Sequence, residues 1–194
     1  MLSATWLQLD ISLFRLINQL PHPLVLVYAA KIIHYATRGG LVYLPIAAWL
    51  VYKKRYRRFA WLALTAGIFT IGVSDWLLKL LVHRPRPFDV LNYGNFIPPL
   101  PSTFSFPSSQ AAVAAAVAML GVLAFKNPRR HWLWLWVIIV GLDRVYMGHH
   151  YPSDVLAGVA VGMLVSYGVF MAGKIISRQQ GGQRHGQHER DTAH

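Results

Sequence analysis

Asp154 stands four residues after His150, and Pro152 lies between them. Proline suits the first position of a helix, where its missing N–H is not needed. If a helix begins there, the Asp154 carboxylate sits in the first turn and reaches back to one imidazole nitrogen of His150. An aspartate that holds the tautomer leaves the other nitrogen basic and free to attack, the orienting logic of a nucleophile–base–orienter triad. Lys79, Arg86 and Arg144 supply three cations, and Ser108 and Ser109 supply hydroxyls where an apolar run begins. Arginine offers a bidentate fork to phosphate oxygens, lysine a point charge, and a helix N-terminus free N–H donors. Together these residue types describe a phosphate cradle beside a histidine, and a phosphohistidine intermediate is the chemistry such a pair can perform.

The elements that must position these groups are apolar. The chain has 194 residues, 55% hydrophobic and 13% charged, where a soluble domain carries about a quarter charged residues. Apolar runs cover 22–38, 39–52, 59–82, 109–125, 132–148 and 152–173, against roughly 17–25 residues for a membrane span. The pattern predicts an all-α, polytopic membrane bundle of about six transmembrane helices. The first two runs meet at Gly39-Gly40, so a single broken helix, and hence five spans, is the competing count. Residues 1–20 set Trp6, Leu7, Phe14 and Leu16 among polar positions and read as an interfacial helix. A signal peptide is the competing reading there, but Asp10 and Arg15 interrupt the apolar stretch and no small-residue cleavage site follows. The expected domain is a single membrane-embedded unit over 1–174, with 175–194 a disordered tail too polar to fold.

Lysine and arginine cluster at 53–58, at 126–130 and from Lys174 onward. If the spans alternate, all three clusters share one face, which the positive-inside rule makes cytoplasmic. The cradle residues then converge at the opposite, periplasmic or extracellular, end. Intramembrane ionisable groups are costly and mark function by default. The net charge of +12 is not the footprint of a nucleic-acid binder, because the basic residues sit in short loops between apolar runs. There are no cysteines, so no disulfide framework, thiolate metal site or cysteine nucleophile.

The order Lys79, six residues, Arg86-Pro87, then Pro107-Ser108, then Arg144, five residues, His150, three residues, Asp154 closely resembles the three-part signature of the phosphatidic-acid-phosphatase type 2 superfamily of membrane lipid phosphatases. The stretch Arg144 to Pro152 looks like that of the bacterial undecaprenyl-pyrophosphate phosphatases. The resemblance implies a six-helix membrane fold and dephosphorylation of a lipid without metal or other cofactor. Lys79, Arg86 and Arg144 would hold phosphate, His150 would attack, and Asp154 would support it. The expected partners are a lipid phosphate substrate, an isoprenoid diphosphate foremost, and membrane lipids.

Two positions depart from that signature. Gln110 stands where the family's second motif ends in a histidine that protonates the leaving oxygen, and Asp143 precedes Arg144 where serine is usual. An amide donates hydrogen bonds but is no general acid. Two other readings stay open: a phosphatase for phosphatidylglycerol phosphate, phosphatidic acid or lipid A, and, because of Gln110, a non-catalytic lipid-phosphate binder, transporter or inactivated variant. Lys79 and Asp75, at i, i+4 spacing, also read as a structural ion pair. His83, His149, His150 and Asp154 read alternatively as metal ligands, and His34 and Lys31 as polar lining of the bundle interior.

Overall fold

In a computed structural model, residues 2–191 are described, and they are helical with no strand among them. Helix α1 (Leu2–Asn18) is followed by α2 (Leu24–Thr37) and α3 (Tyr43–Tyr52). A tight turn at Arg38–Gly40 separates α2 from α3, with Gly39 and Gly40 at φ 58° and 79°, a left-handed backbone that glycine enters without steric cost. The two first apolar runs are thus two short helices.

Helix α4 (Arg57–Ile71) passes without a break through a π-helical stretch, Gly72–Leu78, into α5 (Lys79–Val82). The segment ends at His83, which takes the left-handed conformation of a helix C-terminus. The short α6 (Pro87–Val90) follows. The bundle is completed by α7 (Ser109–Ala124), α8 (Leu133–Tyr146) and α9 (Pro152–Asp191). Two helical stretches, Lys54–Val90 and Pro152–Ser177, are long and apolar enough to cross a membrane. The others coincide with the remaining apolar runs but are shorter. At 1.5 Å per residue, 16-residue α7 is about 24 Å long.

The polar segment from Ile175, expected to be disordered, continues as helix as far as Asp191, and 192–194 lie outside the described residues. Composition shows that this segment lacks a face to bury. It does not show that a long helix upstream supplies the nucleus, after which each residue adds one hydrogen bond.

Helix α7 is the centre of the bundle, packed on α4, α8 and above all α9. Its buried positions are Ala111, Ala112, Ala114, Ala115, Ala116 and Ala118, with Leu120 and Gly121 closing the far end. Small side chains let α9 approach closely through Gly158 and Gly162, which stand at GxxxG spacing. A methyl group at Gly162 would lie 2.0 Å from the Ala112 carbonyl oxygen, and one at Gly158 2.4 Å from that of Ser108. The approach ties the starts of the two helices together, with Ser108 N–H donating to the Asp154 carbonyl at 2.9 Å. Ser108, Ser109 and Asp154 are thereby held at one level.

Helix α1 inverts the amphipathic pattern of a soluble protein. Asp10, Phe14 and Asn18, four residues apart, are buried, whereas Trp6, Leu7, Leu9, Leu13 and Leu16 are exposed. The buried stripe carries the polar contacts: Asn18 donates to the carbonyls of Asn95 (2.8 Å) and Tyr146 (2.9 Å) and accepts from Asn95 N–H (2.8 Å). It locks the loop before α7 onto the end of α8.

Candidate active site

One cavity of about 450 Å³ opens where α2, the π-helical stretch, α7 and the 147–151 turn meet. Lys79, Arg86, Ser109, Gln110, His149 and His150 are among its lining residues. Arg144, Asp154 and Ser108 are fully buried behind them. Every residue of the expected cradle and catalytic pair is therefore in this wall or directly behind it, whereas His83 is exposed and apart from it.

His150 is held by the turn between α8 and α9. Its Nε2 is 3.1 Å from Arg86 Nη1. A guanidinium only donates, so Nε2 is the acceptor and carries the lone pair, and the proton of the neutral ring is on Nδ1. That nitrogen faces Asp154 Oδ2 at 3.6 Å, longer than a hydrogen bond and close enough to tighten into one. Burial pushes His150 down to about 4, against the pull of Asp154, so the ring is neutral at neutral pH.

Asp154 is the third residue of α9, counted from Pro152, and its Oδ2 accepts the Tyr151 N–H at 2.9 Å, half of a capping box. Its Oδ1 accepts from Arg84 Nη1 at 2.6 Å. Arg84 also reaches Asp10 Oδ2 of α1 at 2.6 Å and lies over the Tyr151 ring. Asp10 in turn accepts the Ser153 N–H at 2.9 Å. Asp10 and Arg84 thus fix the carboxylate that orients His150.

Arg86 is 2% exposed. Its fork donates to the carbonyls of Thr103 (2.6 Å), His149 (2.7 Å) and Phe104 (3.0 Å), to Thr103 Oγ1 (3.1 Å), and to His150. The other cations around the site have carboxylate partners: Lys79 Nζ is 2.7 Å from Asp75 Oδ1, Arg84 has Asp10 and Asp154, and Arg144 pairs with Asp143. Arg86 forms no salt bridge with a carboxylate among the described residues, so its charge is left for an anion arriving beside the His150 lone pair. Burial lowers Arg86 to about 10, which keeps it charged at neutral pH.

Lys79 and Asp75 do form the ion pair that their spacing allows, and Asp75 also accepts from Ser109 Oγ, so the lysine is held at the cavity wall. Ser108 Oγ is buried and has no partner among the described residues. His149 donates from Nε2 to the Ile97 carbonyl at 2.9 Å and so pins the loop, and burial pushes it down to about 3. Among the described residues no three His, Asp or Glu side chains converge as a metal set would.

Gln110 is a strut. Its Nε2 donates to Thr37 Oγ1 (2.7 Å) and to the His34 carbonyl (3.0 Å), and its Oε1 accepts from Arg144 Nη1. Arg144 Nη1 also reaches His34 Nδ1 at 2.6 Å. The sequence points to neither Arg84 nor Asp10 as partners of the pair, since they are 74 residues apart. The one signal for His34 is its polarity on an apolar helix.

A model of the PAP2 superfamily matches residues 55–175. An undecaprenyl-diphosphatase of Sulfolobus acidocaldarius is 30% identical over 71% of this chain and 73% of its own length. A decaprenylphosphoryl-5-phosphoribose phosphatase of Mycobacterium tuberculosis is 39% identical over 56% of this chain and 59% of its own. The crystal structure of Aquifex aeolicus LpxE superposes with a TM-score of 0.70 and 28% identity, over 84% of this chain and 95% of that one. The matched segment runs from α4 into α9 and contains His150, Asp154, Arg86, Lys79 and Arg144, so the three motifs read from the sequence are those of a known fold, and the chain belongs to the PAP2 superfamily of phosphatases.

Proposed function

We propose that this chain is an integral membrane phosphatase that removes the terminal phosphate of an isoprenoid diphosphate, through a phosphohistidine on His150. The observation that carries the reading is Arg86: a buried guanidinium without a carboxylate, in contact with the Nε2 lone pair of a neutral histidine. The terminal phosphoryl group enters beside Arg86, and Lys79, Ser108, Ser109 and Arg144 complete its shell. Nε2 bonds to phosphorus as the bridging P–O bond breaks, and the electron pair stays on the bridging oxygen, which leaves as a lipid monophosphate. Water then displaces the imidazole, giving inorganic phosphate. Asp154 orients the ring and stabilises the positive charge that it acquires.

An anhydride substrate suits the state of Gln110. Both of its N–H groups are engaged, and an amide has no proton to give. A lipid monophosphate is a stable leaving anion, whereas the alkoxide of a lipid alcohol is not. The undecaprenyl-diphosphatase among the relatives acts on a substrate of this class.

The domain, 1–174, crosses the membrane six times, through α2, α3, α4–α5, α7, α8 and α9, with α1 in the interface and the basic tail trailing on the cytoplasmic side. Exposed Trp76, Ile68, Leu156 and Leu164 form the lipid-facing surface. The basic clusters then lie in the cytoplasm and the cavity opens on the other side.

The activity is tested by phosphate release from undecaprenyl diphosphate, phosphatidylglycerol phosphate and phosphatidic acid in the presence of a chelator. Turnover highest on the diphosphate and unaffected by chelation is expected; no release from any of the three, or activity restored only by a divalent metal, overturns the reading. Sidedness is tested with single cysteines at Asn92 and Arg129 in this cysteine-free chain. An impermeant thiol reagent applied to intact cells should label position 92 and spare 129, and the reverse pattern overturns the topology.

A further inference from the structure

Of the cavity wall's histidines, His150 attacks in the mechanism above and His149 is spent on the Ile97 carbonyl, which leaves His34 without a role. It projects from α2, is 5% exposed, and lines the same cavity as Arg86 and His150. Its Nδ1 lies 2.6 Å from Arg144 Nη1. The guanidinium can only donate, so Nδ1 accepts and the proton of the neutral ring is on Nε2. That N–H is buried and has no partner among the described residues. A buried donor without an acceptor is costly, about 1–3 kcal/mol, and such a group in a native site calls for a ligand. Meanwhile Gln110, at the position where the family signature places the acid histidine, has both N–H groups bound to α2, to Thr37 Oγ1 and to the His34 carbonyl. The strut that removes Gln110 from donor duty also holds His34 against the cavity.

We infer that His34 Nε2–H is the donor to the leaving oxygen, a role carried by a different helix from the one the family motif uses. This rests on the phosphatase reading above. When the His150 Nε2–phosphorus bond forms and the bridging P–O bond breaks, the electron pair goes to the bridging oxygen, which accepts a hydrogen bond from His34. The proton remains on Nε2 throughout. Arg144, donating to the opposite nitrogen, draws electron density from the ring and strengthens the N–H as a donor. A neutral imidazole of this kind polarises oxygen but does not supply a full proton. The site is therefore fitted to leaving groups that are stable as anions, a phosphorylated lipid before a lipid alcohol.

Two substitutions at the same position separate this role from simple support of Arg144. In His34→Asn the amide oxygen falls where Nδ1 was and can still accept from Arg144, while the Nε2–H is gone. In His34→Gln the amide reaches the Nε2 position and can donate from there, while the Arg144 contact is lost. A donor role predicts that Asn costs about a hundredfold in kcat on a lipid diphosphate, the effect of deleting one oxyanion donor, and that Gln costs at least tenfold less. On nitrophenyl phosphate, whose leaving anion is delocalised, the Asn loss should be at least tenfold smaller. Gln110→His in the His34→Asn background should recover activity by returning an imidazole to the motif position. Equal losses on both substrates, or Gln worse than Asn, overturn the inference in favour of a structural role. If the unmodified chain releases no phosphate from any probe, the phosphatase reading fails separately. The donor is then read from the ¹⁵N resonance of His34 Nε2 on adding orthovanadate or inorganic phosphate: a shift that His34→Asn abolishes supports it, and an unmoved resonance overturns it.

Discussion

Replacing His150 by alanine is expected to reduce phosphate release from every substrate roughly ten-thousand-fold or more, the scale on which enzymes lose activity with their nucleophile. Folding and lipid-phosphate binding should survive. The ring makes one hydrogen bond, accepting from Arg86 Nη1, and Arg86 keeps the Thr103, His149 and Phe104 carbonyls as acceptors. The His150 backbone N–H still donates to the Arg144 carbonyl at 3.3 Å, so the turn into α9 retains its shape. Loss of the imidazole removes the nucleophilic lone pair that Arg86 Nη1 holds at the wall. Quenching the unmodified chain during turnover of a ³²P-labelled diphosphate should trap phosphate on protein that is labile in acid and stable in base, and the alanine variant should trap none. Residual turnover within tenfold of the unmodified chain would remove His150 from the reaction.

The proposed catalytic pair and the three proposed phosphate-binding cations could be picked out of the sequence because each is tied to a local constraint. His150 and Asp154 are separated by one helical turn with proline at its start, and Lys79, Arg86 and Arg144 are charges in apolar surroundings. The order of α2, α3, α4–α5, α7, α8 and α9 follows the six apolar runs in the same way, while α6 lies in a stretch where the pattern predicts no helix. What periodicity does not carry is contact between distant segments. Asp10 meets Arg84 and Ser153 because α1 lays its polar stripe inward, an inversion that follows from packing in an apolar solvent. A helical wheel drawn for water points that stripe outward. The role of His34 is hidden for a related reason, since it depends on Gln110 bridging α7 to α2 across 76 residues. The π-helical stretch before Lys79, which carries Asp75 in contact with Lys79 and Ser109, is likewise not signalled by composition.

Asp154→Asn is expected to lower kcat about ten-thousand-fold with little change in KM, the size of effect seen when a triad aspartate becomes an amide. The carboxylate has obligate donors on both oxygens: Arg84 Nη1 at Oδ1 and the Tyr151 N–H at Oδ2, with His150 Nδ1 beside Oδ2. An amide has one oxygen to offer. Turning it toward Arg84 satisfies the charged donor and places the NH₂ against the Tyr151 N–H and His150 Nδ1. The imidazole then presents its lone pair to that NH₂, and its proton moves to Nε2, the atom that must attack. The opposite orientation sets the NH₂ against a guanidinium and loses the stronger bond. The first orientation, which keeps the charged bond to Arg84, therefore prevails and disfavours the nucleophilic tautomer, while the Arg86, Lys79 and Arg144 cations stay in place for phosphate, so the loss falls on the chemical step. The loss of half a capping box costs about 1 kcal/mol, which a melting curve in detergent would register as a modest shift. The ¹⁵N spectrum of His150 should show the proton transferred from Nδ1 to Nε2. Turnover within tenfold of the unmodified chain, or a fall confined to KM, would mean that Asp154 serves only to start α9 and that Arg86 alone fixes the tautomer of His150.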